Sequence, residues 1–369
     1  MTGSTIPRRR RWPLFAPFAL VAVLAALWSA FWFYAAGRAK TEIATWQQRE
    51  ARAGRTQDCA SQSIGGYPFR LEVHCGDATF TLAGAPTLQF KLPAVLGAVQ
   101  VYDPKLAIAE FTGPLDVAEP GRAAGYVVDW KFAQASVRGL PAQIERASLA
   151  LDAPSVKAPA FAGDAPVFLA RHVELHGREA AGSAPGNPVL DLVLRANGAV
   201  ADKLHPLAAK PIDADIAALL RGVTDITPKP WPVLFKEWQA HGGELEIVKA
   251  RVQQEDVIAV GAGTLHLTAG GRLDGNLQVT VVGIEKVLKM FDIERFMSEG
   301  QIGATINALD KLLPGLGGIA RQNAAPGLAA ALGQRTVLEG KQAITFPIRF
   351  VDGAIVFGSF QVGQLAPFF

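Results

Sequence analysis

The chain has 369 residues, half of them apolar and 19% charged, and its 36 basic and 33 acidic side chains give a formal charge of +3. Wholesale disorder needs low hydrophobicity and high net charge, and neither is present. Four of the basic residues are the consecutive Arg8, Arg9, Arg10 and Arg11; the rest of the chain holds 32 basic against 33 acidic groups, so it lacks the clustered positive field that nucleic-acid binding requires.

The first element is 14–34, LFAPFALVAVLAALWSAFWFY, which carries no charge. As a helix it is about 31 Å long, matching a hydrocarbon core of roughly 30 Å. Trp28, Trp32 and Tyr34 crowd its far end and Trp12 its near end, as interfacial aromatics do. Arg8 to Arg11 place the N-terminus in the cytoplasm under the positive-inside rule. A cleaved signal peptide is the competing reading, with Ala35-Ala36-Gly37 as its site, but its apolar region should span only about 7–15 residues. The segment is read as an uncleaved single-pass anchor. Residues 35–55 follow as a helical stalk.

Beyond the stalk the pattern changes to period two. In FRLEVHC, Phe69, Leu71, Val73 and Cys75 fall on one face and Arg70, Glu72 and His74 on the other, as in a half-buried strand. Similar runs recur at 78–82, 88–92, 126–132, 148–152, 172–176 and 189–195, and again at 244–252, 257–260, 264–269, 276–282, 344–350, 354–357 and 359–363. Asp274-Gly275 and Asp352-Gly353 read as hairpin turns. Helices are expected at 213–222, 284–296, 306–313 and 327–335. The fold expected is mainly β (α+β): a membrane helix followed by a curved antiparallel sheet with a few packed helices. Its parts are a basic tail (1–13), the span (14–34), the stalk (35–55), a first β-rich half (56–205), a Pro-rich connector with a short helix (206–232) and a second β-rich half (233–369). The apolar tail 360–369, FQVGQLAPFF, is expected as a terminal strand or a segment docked on the domain.

Cys59 and Cys75 are the two cysteines, and beyond the anchor they face an oxidising compartment. A disulfide between them closes a loop of about 15 residues, stabilising by roughly 3 kcal/mol. His172, Glu174 and His176 share one strand face and are the best candidate metal ligands in the chain, although a solvated polar face opposite Val173 and Leu175 gives the same letters. The order is not that of a zinc peptidase helix. The glycine clusters at 261–263 and 315–318 lack phosphate-loop spacing, and no nucleophile elbow is present. No cofactor and no catalytic group are expected, and the chain is read as a non-enzyme.

One ordered set of residues resembles a known family. After the anchor and Trp46 come Cys59, Ile64-Gly65-Gly66-Tyr67-Pro68-Phe69-Arg70 and Cys75, then Gly263-Thr264-Leu265, Gly271-Arg272-Leu273-Asp274-Gly275, Asp352-Gly353 and Phe357-Gly358. This order resembles the uncharacterised bacterial proteins grouped as domain of unknown function 2125. The Gly-Tyr-Pro-Phe-Arg segment is also similar to the opening strand of AsmA-like envelope proteins, which implies lipid handling on a long curved sheet; neither resemblance implies catalytic residues. The resulting expectation is an inner-membrane protein, N-terminus cytoplasmic and main domain periplasmic, that binds or shields lipid or another apolar envelope component. Phe69, Leu71 and Val73, with Phe346, Ile348 and Phe350, are the candidate lining residues. The alternative is an assembly protein that docks envelope partners and holds no ligand.

Overall fold

A computed structural model describes residues 12–139, 144–184, 186–225, 227–284, 286, 333–357 and 360–369. Strands make up 54% of it and helices 19%, so the chain is mainly β. Helix α1 (Trp12–Arg52) is a single element that contains both the apolar span and most of the stalk. Gly54, at positive φ, turns the chain into β1 (Arg55–Gly65). There follow β2 (Arg70–Leu82), β3 (Leu88–Gln100), β4 (Asp103–Thr112), β5 (Leu115–Ala118), β6 (Tyr126–Asp129), β7 (Phe132–Arg138) and β8 (Arg146–Asp152). Next come β9 (Ser155–Lys157), the short α2 (Pro159–Ala162), β10 (Pro166–Leu169), β11 (His172–Glu179), β12 (Leu190–Ala199) and β13 (Ile212–Arg221). Helix α3 (Trp231–Ala240) precedes β14 (Glu244–Gln254), β15 (Val257–Leu267) and β16 (Leu273–Val282). The last strands are β17 (Gln334–Leu338), β18 (Lys341–Val351), β19 (Ala354–Phe357) and β20 (Phe360–Gln364).

All these strands join one antiparallel sheet that does not close. The ladders run from β1 through β2 to β3, whose far edge is shared end to end by β4 and β5. β7 and β6 pair next, then β8 and β9, then β11 and β10. From β11 the order is sequential to β16, which pairs with β18; β17 and β19 share the outer side of β18, and β20 pairs with β19. Successive strands twist with a fixed hand, and over so many the sheet coils. The coil brings distant parts together: Pro230, before α3, packs on Gly84 in the β2–β3 turn, and Asp225 lies close enough to Arg55 to act on its charge.

Three sequence expectations change. Residues 213–222 are not a helix: Ile212–Arg221 is β13, paired on both sides with β12 and β14. Ala214, Ile216, Ala218 and Leu220 alternate with Asp213 and Asp215, so the Ala/Leu-rich run satisfies period two, and two ladders outweigh its local helix propensity. The sheet therefore runs without a break through the segment read as a connector. Asp274-Gly275 is not a turn, for both residues lie inside β16 and the chain reverses at 268–272. Asp352-Gly353 does form a tight turn between β18 and β19, with φ of 48° and 83°. The helices expected at 284–296, 306–313 and 327–335 fall almost wholly outside the described residues, and Gln334 and Arg335 belong to β17.

Glycines explain how close β15 and β16 approach. A Cβ on Gly263 (φ 150°) would collide with the Asn276 carbonyl oxygen, and one on Gly275 (φ 136°) with that of Thr264. Cys59 on β1 and Cys75 on β2 form a disulfide with Cα atoms 5.3 Å apart, fastening the edge strand to its neighbour.

Candidate functional site

Residues directly opposite one another in an antiparallel ladder point to the same side of the sheet, so the registers trace each face from strand to strand. One face is apolar throughout. Leu71 and Val73 stand opposite Val99 and Gly97, and Val99, Gly97 and Val95 meet Ala107, Ala109 and Phe111. The face continues through Ala135 and Val137 to Leu149 and Leu151, then to Leu175 and Val173. Leu192, Leu194 and Ala196 carry it to Ala218, Ile216 and Ala214, and these to Ile247, Ala250 and Val252. Gly261 and Ala259 hand it on to Val279 and Val281, which meet Phe346 and Ile344. Ile348 and Phe350 extend it to Phe357 and Ile355.

This face is filled at one end and open in the middle. Near the C-terminus Val281, Ile284 and Phe346 are buried, with Val279, Ile344, Ile348 and Phe357 packed around them; the Phe346 and Phe357 rings lie 4.6 Å apart, edge to face. In the central strands Leu175 and Leu194 stand opposite each other and remain 45% and 38% exposed. A layered domain would bury such a pair against a second sheet or helix.

Helices pack on the sheet at two places. At the first edge, Ile43, Ala44 and Gln47 of α1 lie over Gln62 and Ile64 of β1 and leave a cavity of about 220 Å³ between the two elements. Elsewhere, α3 is pinned by the Trp238 indole, which donates to the Arg221 carbonyl at 2.7 Å. Phe235 of α3 stacks on Trp231 and meets Phe368 at 5.0 Å, and the Phe368 amide donates to the Gly271 carbonyl, so the C-terminal tail docks here. Lys229 bridges Asp225 and Glu237 across the approach to α3, and it holds the Asp225 carboxyl down to about 2.

Over β8 and β11 the opposite face is polar and knit by charge, whereas near the C-terminus it carries a second buried cluster of Ile258, Val282 and Ala343. His172 Nδ1 lies 2.6 Å from Asp152 and its Nε2 3.0 Å from Glu174; His176 contacts Ser148 and the other Glu174 oxygen. Hydrogen bonds to Glu174, then to Asp152, raise the His172 imidazole above its ordinary value, and the two imidazoles hold Glu174 below its own. The three metal-ligand candidates thus share one strand face as expected, with their polar atoms turned to one another and to β8. Among the described residues no group of three or more His, Cys, Asp or Glu is arranged to hold a metal ion. A second cavity, of about 570 Å³, is lined by His74, Leu96, Glu110, Trp130 and Phe132 and also by Val95 and Phe111.

Of the six lining candidates, Leu71, Val73, Phe346, Ile348 and Phe350 lie on the apolar face, although Phe346 belongs to its filled end. Phe69 does not; it sits in the β1–β2 turn with its ring against Trp28 of α1. The central residues Leu149, Leu175, Leu194 and Ile216 were missed by sequence reasoning. Their alternation was legible, but only register places them on one surface with Leu71 and Phe346.

A family model matches residues 32–366, nearly the whole chain beyond the apolar run at 14–34, and this decides the family. The chain belongs to DUF2125, uncharacterised proteins conserved in bacteria. No curated protein and no solved structure matches it, so the similarity to AsmA-like proteins gains no support from either comparison. In this DUF2125 chain the Gly-Tyr-Pro-Phe motif forms the turn that docks on α1, and the Gly263 and Gly275 motifs supply the close strand approach.

Proposed function

We propose that this DUF2125 protein is held in the bacterial inner membrane by α1 and uses its apolar sheet face, in the periplasm, to bind or shield the acyl chains of a lipid or another apolar envelope component. The observation that carries the reading is the continuous apolar face with Leu175 and Leu194 exposed at its centre. Each methylene covered there gains about 0.8 kcal/mol, so one long acyl chain offsets the cost of leaving the bilayer. Helix α1 is long and apolar enough to cross a membrane. Arg8 to Arg11 favour a cytoplasmic N-terminus, and the Cys59–Cys75 disulfide suits an oxidising compartment on the other side. The reading needs no catalytic group.

The test is to purify the full chain in mild detergent, identify co-purifying lipids by mass spectrometry, and crosslink a photoactivatable fatty acid. Crosslinks at β11 and β12 are expected. Absence of lipid together with crosslinks confined to α1 would sink the reading. A second reading, docking of an envelope protein by strand addition, is favoured by the outer edges of β1 and β20, which pair with no strand among the described residues. It expects a stable protein partner crosslinked to β1 or β20 and no lipid.

A further inference from the structure

The β1–β2 turn is fastened to the last part of the apolar span rather than to the stalk. The Trp28 indole donates to the Pro68 carbonyl and the Trp32 indole to that of Arg70, each at 2.8 Å. Ser29 and the Tyr67 hydroxyl are 2.7 Å apart. Tyr67 lies edge-on to Trp32 and stacks on Phe33, while Phe69 packs on Trp28. Trp32 is only 5% exposed as a result. At 1.5 Å per residue, Trp28 lies about 21 Å and Phe33 about 29 Å beyond Leu14, inside or at the rim of a hydrocarbon layer roughly 30 Å thick.

A segment at that depth must satisfy its polar groups internally. This turn largely does so. The Gly66 carbonyl accepts from Arg70, that of Phe69 from Val101, and those of Pro68 and Arg70 from the two indoles; Pro68 has no amide hydrogen to place. What the turn presents outward is aromatic: Tyr67 and Phe69 are more than half exposed, as is Tyr102 in the adjoining β3–β4 turn. Exposed aromatic rings with satisfied polar ends suit the membrane interface.

We propose that the Gly66–Phe69 turn and Tyr102 are sunk into the bilayer leaflet on the domain's side, so that the apolar face, which starts at Leu71 and Val99, opens directly onto the acyl chains of that leaflet. The proposal rests on α1 crossing a bilayer and gives the lipid reading its path of access. Its partner is the lipid surface itself, identified by the continuity of these aromatics with the span.

The full chain is reconstituted in nanodiscs, with single cysteines introduced as Phe69→Cys, Tyr102→Cys and, in the far β5–β6 loop, Arg122→Cys. The native cysteines are paired, so the new thiol alone takes an environment-sensitive fluorophore. Lipids carrying a nitroxide near the headgroup should quench the label at 69 and 102 several-fold more than at 122, with blue-shifted emission. Equal, water-like behaviour at all three positions would overturn the proposal. Tyr102→Cys guards against a docking defect caused by Phe69→Cys, because Tyr102 makes no ring contact with α1 among the described residues. Lipid co-purification is scored separately: quenched labels without bound lipid would remove the lipid reading alone, and unquenched labels with bound lipid would remove this one alone.

Discussion

Leu175 and Leu194 face each other across the β11–β12 ladder, on the same side of the sheet as Phe346, yet Phe346 is 6% exposed and they are 45% and 38% exposed. The same apolar surface is thus core at one end and uncovered at the centre. Replacing the central pair should separate binding from stability. The double variant Leu175→Gln/Leu194→Gln is expected to lose most co-purifying lipid while unfolding within about 1 kcal/mol of the wild type, as partly exposed sites allow. Phe346→Ala is expected to cost about 3–5 kcal/mol by leaving a cavity among Val281, Ile284 and Phe357. Denaturant titration and lipid mass spectrometry on the same preparations check both halves. If the double variant keeps its lipid, the central trough is not the binding surface.

The disulfide holds the strand that links α1 to the sheet. Among the described residues β1 pairs with β2 alone, so this edge is the first of the sheet to fray when the cross-link is removed. A Cys59→Ser/Cys75→Ser variant should lose about 3 kcal/mol, from a cross-link spanning 16 residues. Amide exchange should rise first along 55–65. A denaturation midpoint indifferent to reductant would contradict this.

The strands with clean alternation, such as FRLEVHC and HVELH, were legible because half-burial writes period two into the sequence. β1 was not: RTQDCASQSIG is polar on both faces, as suits an edge strand whose outer rim meets water. β13 was misread because Asp-Ala-Asp-Ile-Ala-Ala-Leu-Leu fits both periods, and only pairing with β12 and β14 decides between them. The apolar face itself is a property of register. No single strand reveals that Leu71, Leu175 and Phe346 belong to one surface, since a one-residue slip would send each to the other side. The long apolar helix could be read from composition alone, but the seating of Tyr67 on Trp32 is a tertiary contact across 35 residues that no local pattern encodes.

Gly263 and Gly275 should resist substitution more than other strand positions. Both hold positive φ and face a carbonyl on the neighbouring strand at a distance that excludes a Cβ. Gly263→Ala and Gly275→Ala are each expected to destabilise by about 2–3 kcal/mol, from backbone strain and separation of the ladder. Because each glycine crowds the strand that carries the other, the double variant should cost less than the two singles together. Thermal unfolding of the three variants measures the coupling, and strict additivity would show that the two contacts are independent.

The charge cluster on the polar face makes stability depend on pH in a stated direction. His172 titrates above its ordinary 6.5, so its contribution is complete below that pH and is lost as pH rises through the raised value. Glu174 titrates below its ordinary 4.5, so its contribution is present above that pH and is lost as pH falls through the lowered value. The two overlap between about pH 4.5 and 6.5, where His172 is protonated and Glu174 ionised, and there the cluster stabilises most. The side chains remain 33% and 28% exposed, so solvent screening keeps the gain below about 1 kcal/mol. His172→Gln should therefore lower the melting temperature slightly at pH 6 and by less at pH 9, because loss of the proton removes the ionic contribution. A loss of equal size at both values would assign His172 a packing role instead, because only the ionic contribution disappears with the proton.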